Sequence, residues 1–151
     1  MDALWLTLQE SGFGLLVRNS VLLYPIANVL HVLGMMAFFG LVATMDLALL
    51  GVGGSPAKQV ITRLRPFAVA LLLLIAATGS VLFVTEAVAI AANPAFQFYI
   101  SLLGLAVANV SVNEWALRTR GDGAGLARLT ARLSLLAWLG VAGLGRLIAY
   151  V

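Results

Sequence analysis

Cysteine is absent, so the chain forms no disulfide and offers no thiolate to a metal. Charge is scarce: 10% of residues are Asp, Glu, Lys or Arg, against about 25% in soluble domains. Histidine occurs once, at position 31, which excludes a pair of axial histidines within one chain. No Walker loop, dinucleotide fingerprint, HExxH motif or nucleophile elbow is present. No basic patch alternates with aromatics, so nucleic acid is not an expected partner. The first residues carry Asp2 and Glu10 and no basic stretch ahead of apolar ones. A cleavable signal peptide is therefore not expected. Inverted repeats of the transporter kind are not visible.

What remains is apolar. Of 151 residues, 62% are hydrophobic, and the mean hydropathy is +1.06. The length suits one domain. A bilayer core needs about 20 apolar residues in a helix. Val21 to Met45 carries no Asp, Glu, Lys or Arg, so a first spanning helix is expected over about 20–46, closed by Asp46. Gly51, Gly53, Gly54, Ser55 and Pro56 then read as a loop. Pro66 fits the first turn of a second helix over about 66–91. Asn93-Pro94 reads as a tight turn before a third helix over about 96–117. Arg118 to Arg132 reads as a polar loop, with Gly121, Asp122, Gly123 and Gly125, before a fourth helix over about 131–151. These runs are apolar all round, whereas soluble bundles keep one polar face per helix. The expectation is an all-α, integral membrane four-helix bundle.

Basic residues in short loops face the cytoplasm. Lys58, Arg63 and Arg65 lie between helices one and two, and Arg118, Arg120, Arg128 and Arg132 between three and four. The turn between two and three has none. Both termini are thus expected on the periplasmic side of a bacterial-type inner membrane. Leu4, Trp5, Leu8, Phe13, Leu15 and Leu16 follow a rough helical spacing. They point to a short interfacial helix, with a disordered tail as the alternative.

Ionisable groups within a membrane are costly and are candidates for function. Here they are His31, Asp46, Glu86, Glu114 and Arg146. Asp46 and Glu114 lie at cytoplasmic helix ends beside Arg63, Arg65 and Arg118, where interfacial ion pairs are expected. His31, Glu86 and Arg146 share the periplasmic half. Arg146 and Glu86 read either as a mutually neutralising pair or, for Arg146, as a snorkelling cation. The face of the first helix with His31 also carries Tyr24, Asn28 and Met35. His31 reads either as a hydrogen-bonded packing residue or as a metal or haem iron ligand. Met35 shares its face and cannot lie across a haem plane from it. A haem would then be five-coordinate or sit at an oligomer interface. Gly34, Gly40, Gly79, Gly104, Gly140, Gly143 and Gly145 permit close helix packing or leave room for a flat cofactor. Asn109 and Asn113 read as helix-to-helix hydrogen bonds.

Tyr24-Pro25, His31, Gly34, Gly40 and Asp46 to Gly51 form an ordered set with Thr78-Gly79, Leu82-Phe83, Asn93 to Phe96, Asn109 and Gly145 to Tyr150. Together they resemble a family of short, four-helix bacterial inner-membrane proteins of uncharacterised function. The resemblance implies a lysine soon after the Asn-Pro turn, where this chain reads Gln97-Phe98-Tyr99-Ile100. In architecture alone, a first-helix histidine in a four-helix bundle is similar to the copper-resistance membrane domain and to the haem-dependent protoporphyrinogen oxidase. That likeness implies haem b at His31, with Arg146 meeting propionates and Glu86 behind it.

Three functions are expected from these readings. The first is a haem b-binding redox or electron-transfer component. The second is a cofactor-free structural or assembly subunit, as a homo-oligomer or within a larger membrane complex. The third is a small carrier or quinone-binding protein using Tyr24, Asn28 and His31.

Overall fold

The computed structural model describes residues 2–120 and 125–148. Among these there are helices and no strands: α1 (Asp2–Gln9), α2 (Gly12–Asn19), α3 (Leu23–Leu49), α4 (Ala57–Thr85), α5 (Ala87–Ala92), α6 (Pro94–Arg120) and α7 (Gly125–Leu147). Four of them, α3, α4, α6 and α7, are long and apolar enough to cross a membrane. At about 1.5 Å per residue, the 27 residues of α3 exceed the ~30 Å hydrocarbon core. Large apolar side chains are exposed on each, among them Leu33, Leu73, Leu105 and Leu136. That surface suits lipid as its solvent.

The long helices form two hairpins, α3 with α4 and α6 with α7, and the hairpins meet along α3 and α7. The buried face of α7 explains the joint. Ala127, Ala131, Ser134, Trp138 and Val141 recur at spacings of four and three, the periodicity of one helix stripe. Phe38 and Val42 of α3 pack there with Ala68 and Ile75 of α4, Ala106 of α6, and Trp138 and Val141 of α7. A second cluster, Ala48, Leu49, Ala57, Ile61, Ala127 and Ala131, closes the end that carries the α3–α4 connection. Among the described residues, no Cα of α4 lies within 8 Å of a Cα of α6.

At the opposite end α1, α2 and α5 lie across the bundle. Gln9 accepts a hydrogen bond from the Val88 backbone at 3.1 Å. Arg18 donates to the Thr85 carbonyl, the last of α4, at 2.9 Å. A cation there satisfies an orphan carbonyl and the helix dipole together. The expected N-terminal helix is thus two helices, hinged at Ser11, whose hydroxyl accepts from the Gly14 backbone at 3.1 Å.

Helix ends differ from the sequence reading. α3 runs on past Asp46 to Leu49, stopped by Gly51, Gly53 and Gly54 at positive φ. α4 begins after Pro56, so Pro66 lies inside it. Lys58, Arg63 and Arg65 are therefore helical rather than loop residues. A proline inside a spanning helix frees one carbonyl bond but leaves the flanking bonds intact. The long second span also breaks at Glu86, with α5 as a separate short helix. α7 starts at Gly125, so Arg128 and Arg132 extend its first turns. Gly121, Asp122 and Gly123 lie outside the described residues, as do positions 149–151 at the expected end of the fourth span.

Candidate functional site

Because α4 and α6 stay apart while α3 and α7 pack behind them, a cavity of about 140 Å³ lies in the half of the bundle nearest the α3–α4 connection. All four long helices line it. Asp46 comes from α3, Ala68 from α4, Asn113 from α6, and Ser134 and Trp138 from α7. Asp46 is 3% exposed and Trp138 4%. The Ser134 side chain, one turn before Trp138, is the hydrogen-bonding neighbour of the Asp46 carboxyl. Trp138 also meets Phe38 edge-on, with ring centroids 4.7 Å apart.

Three buried side-chain atoms lack a hydrogen-bond partner among the described residues: Asp46 Oδ2, Asn113 Oδ1 and Trp138 Nε1. All three belong to side chains lining this one cavity. An unpaired buried polar atom costs about 1–3 kcal/mol, and native interiors hold few of them.

The gap between α4 and α6 is tied at both ends. Near the α3–α4 connection, Arg65 and Glu114 form an ion pair at 2.5 Å. Arg118, one turn along α6, donates to the same carboxylate at 2.7 Å. At the far end Phe83 of α4 stacks on Phe96 of α6, centroids 5.3 Å apart. Trp5 of α1 stands edge-on against Phe83 at 5.6 Å, and Tyr99 continues the stack at 6.2 Å.

Of the residues singled out in the sequence, Asp46, Asn109, Asn113 and Glu114 line this cavity, and those expected to hold a cofactor fall elsewhere. His31 lies in the α3–α4 interface. Its Nδ1 is 3.1 Å from the Ile75 carbonyl and 3.0 Å from Thr78 Oγ1. The Thr78 hydroxyl is committed to the Leu74 carbonyl at 2.8 Å, and a carbonyl only accepts, so Nδ1 carries the ring proton. Tyr24 and Asn28 follow on the same helix and are exposed. Glu86 is exposed at the α4–α5 break, and Arg146 is exposed in the last turn of α7. Glu86 is in neither of the ion pairs Arg65–Glu114 and Arg118–Glu114.

The small residues have separate roles. A Cβ on Gly79 would lie 3.1 Å from His31 Cε1, so the imidazole itself fills that space. Side chains of Ile75 and Tyr99 approach Gly34 and Gly145, while Gly40, Gly104 and Gly143 face open space. The pocket left by Gly79 is thus not a slot for a flat ring system. What His31 does offer is an anchored Nδ1 and a lone pair on Nε2, the second-shell arrangement of ligating histidines. Among the described residues no group of three His, Cys, Asp or Glu could hold a metal ion.

Glu114 makes the interfacial ion pairs expected of it. Asp46 does not: the extra turn of α3 carries it inside, against α7. Asn109 binds across helices, donating to the Thr130 carbonyl at 2.9 Å, whereas the oxygen of Asn113 faces no such partner. The signal for the cavity was two i, i+4 pairs, Asn109/Asn113 and Ser134/Trp138, on opposite sides of one acidic residue.

No protein-family model, no curated protein and no solved structure matches this chain. The likeness to short four-helix inner-membrane proteins stays one of the residues quoted above.

Proposed function

We propose that this chain is a small membrane carrier or binding protein that takes a ligand from the lipid phase through the gap between α4 and α6. The observation that carries this is a cavity lined by all four long helices, beside two spans that stay apart, whose lining residues include three with an unpartnered buried polar atom, Asp46, Asn113 and Trp138. Asp46 and Asn113 supply acceptors, and Trp138 supplies a donor. Ligand cavities have this make-up, mostly apolar with a few polar groups that fix orientation. The test is mass spectrometry of small molecules retained by protein purified in mild detergent. The wild-type protein is expected to keep a ligand other than bulk phospholipid, and Trp138→Phe to lose most of it. Bulk lipid alone, equal in both proteins, would overturn the reading.

The end with the α3–α4 connection carries Lys58, Arg63, Arg65, Arg118, Arg128 and Arg132. This supports a cytoplasmic orientation for that end, with both termini periplasmic in a bacterial-type inner membrane. A periplasm-active reporter fused after the last residue is then active.

A second reading keeps His31 as the axial ligand of haem b in a redox or electron-transfer component. It is favoured by the proton on Nδ1, which leaves Nε2 free to ligate. The haem would supply one-electron chemistry, and the Ile75 carbonyl and Thr78 would hold the His31 ring in place. Visible absorption spectra of the purified protein, oxidised and reduced, decide it. A Soret band lost in His31→Ala supports this reading, and its absence after haem supplementation removes it.

A further inference from the structure

We infer that the mouth of the α4–α6 gap holds an anionic phospholipid, with its phosphate on Arg65 and Arg118 and an acyl chain along the apolar strip between the two helices. The inference does not rest on what fills the cavity behind the gap. It concerns the surface where the gap meets lipid.

Charge at this mouth is unbalanced. Arg65 of α4 meets Glu114 with both terminal nitrogens, Nη1 to Oε1 at 3.2 Å and Nη2 to Oε2 at 2.5 Å. Arg118 of α6 donates from Nε to Oε1 at 2.7 Å. One carboxylate thus answers two guanidiniums and leaves one positive charge over. It also holds the two side chains together across the gap, one from each helix. A guanidinium carries more N–H groups than these contacts use, and its planar fork suits a phosphate. Both arginines are exposed. Lys58, Arg63, Arg128 and Arg132 are exposed at the same end. The acids there among the described residues are Glu114 and the buried Asp46. The surplus favours an anion.

The surface next to the arginines selects a lipid over a free phosphate. Val69 lies one turn inward of Arg65 on α4, and Val110 one turn inward of Glu114 on α6, with Val107 beyond it. All three valines are exposed and line the same cavity as Arg65 and Glu114. Among the described residues no Cα of α4 comes within 8 Å of one of α6. A charged head site therefore continues directly into an apolar groove, the two halves of a phospholipid. Trp115, beside Glu114, is exposed as well, as suits an aromatic ring at headgroup level. Basic pockets between spanning helices are recurrent sites for anionic headgroups.

The test is native mass spectrometry of the full-length protein in mild detergent, titrated with phosphatidylglycerol or with phosphatidylcholine of identical chains. Phosphatidylglycerol is expected to bind at least about tenfold more tightly, the effect of one charge-assisted hydrogen bond. Arg118→Gln keeps the Arg65–Glu114 pair and should weaken that binding about tenfold. Arg65→Lys keeps the charge, loses the fork and should weaken it too, so the result survives if one variant folds poorly. Arg63→Gln removes one charge from the same end on another face of α4 and should change it little. Glycerol phosphate in excess should leave the lipid bound. Equal binding of the two lipids would overturn the inference. So would equal losses in Arg118→Gln and Arg63→Gln, which would mean diffuse surface charge, or displacement by glycerol phosphate as readily as by lipid, which would mean a site for free phosphate. None of these outcomes bears on the ligand of the cavity, which the Trp138→Phe comparison reads separately.

Discussion

Asp46 and Glu114 are carboxylates near the same end of the bundle with opposite surroundings. Glu114 accepts from two guanidiniums at the surface. Asp46 sits between α3 and α7 with one oxygen unanswered. The difference gives a sharp expectation for the cavity. Asn113→Leu keeps side-chain volume and removes an unpaired buried acceptor, so the ligand-free protein should gain about 1 kcal/mol or more. Ligand retention should fall in the same variant. Thermal unfolding in detergent, with and without extracted ligand, reads both, and a residue serving packing alone would not move them in opposite directions. At His31 the pressure is steric. Gly79→Ala places a methyl group 3.1 Å from the imidazole, which should cost about 1–3 kcal/mol. Gly104→Ala, with nothing within 4 Å, should be neutral or slightly stabilising by the same unfolding assay.

Among the elements, the four spans were readable because their runs are long and apolar enough to cross a membrane. Their ends were harder to read. Pro66 looked like a helix start because proline is favoured there, yet Pro56 holds that place and α4 continues through both. The polar residues Lys58, Gln59, Arg63 and Arg65 after Pro56 made that stretch read as connection rather than helix. Asp46 looked like the close of α3 for a similar reason, a charge at the end of an apolar run. The helix stops only where three glycines adopt positive φ. The cavity was hidden more deeply, since it depends on which helices pair and which stay apart. The N-terminal pair offers its own test. Arg18 ties α2 to the end of α4 through the Thr85 carbonyl, a charge-assisted bond of about 1.5–3 kcal/mol. Arg18→Ala should speed amide exchange through α1 and α2 by about tenfold or more while α3 and α7 keep their protection.

For the whole molecule, the α3–α7 contact acts as a spine, and the two hairpins spread from it like covers. Between α4 and α6 the described ion pair is Arg65–Glu114 and the described ring contact is Phe83–Phe96, with a shared apolar cluster between them. The ion pair is exposed on its arginine side, so its worth in stability is about 0–1 kcal/mol. Its effect on access should be larger. Arg65→Ala is expected to raise the rate of ligand release about tenfold with little change in unfolding temperature. Stopped-flow displacement of bound ligand measures the first and a thermal melt the second. A melt shifted by many degrees with unchanged release would mean that Arg65 is a structural strut only.

A seam fastened at two points, with its backbones apart between them, has the layout of a buttonhole. On the proposed route of entry, a slim ligand would pass edge-on and a broad one would be stopped before it reached anything inside. Selection by girth would then belong to the distance between the fastenings, and selection by chemistry to the groups behind them, so the two could be altered independently.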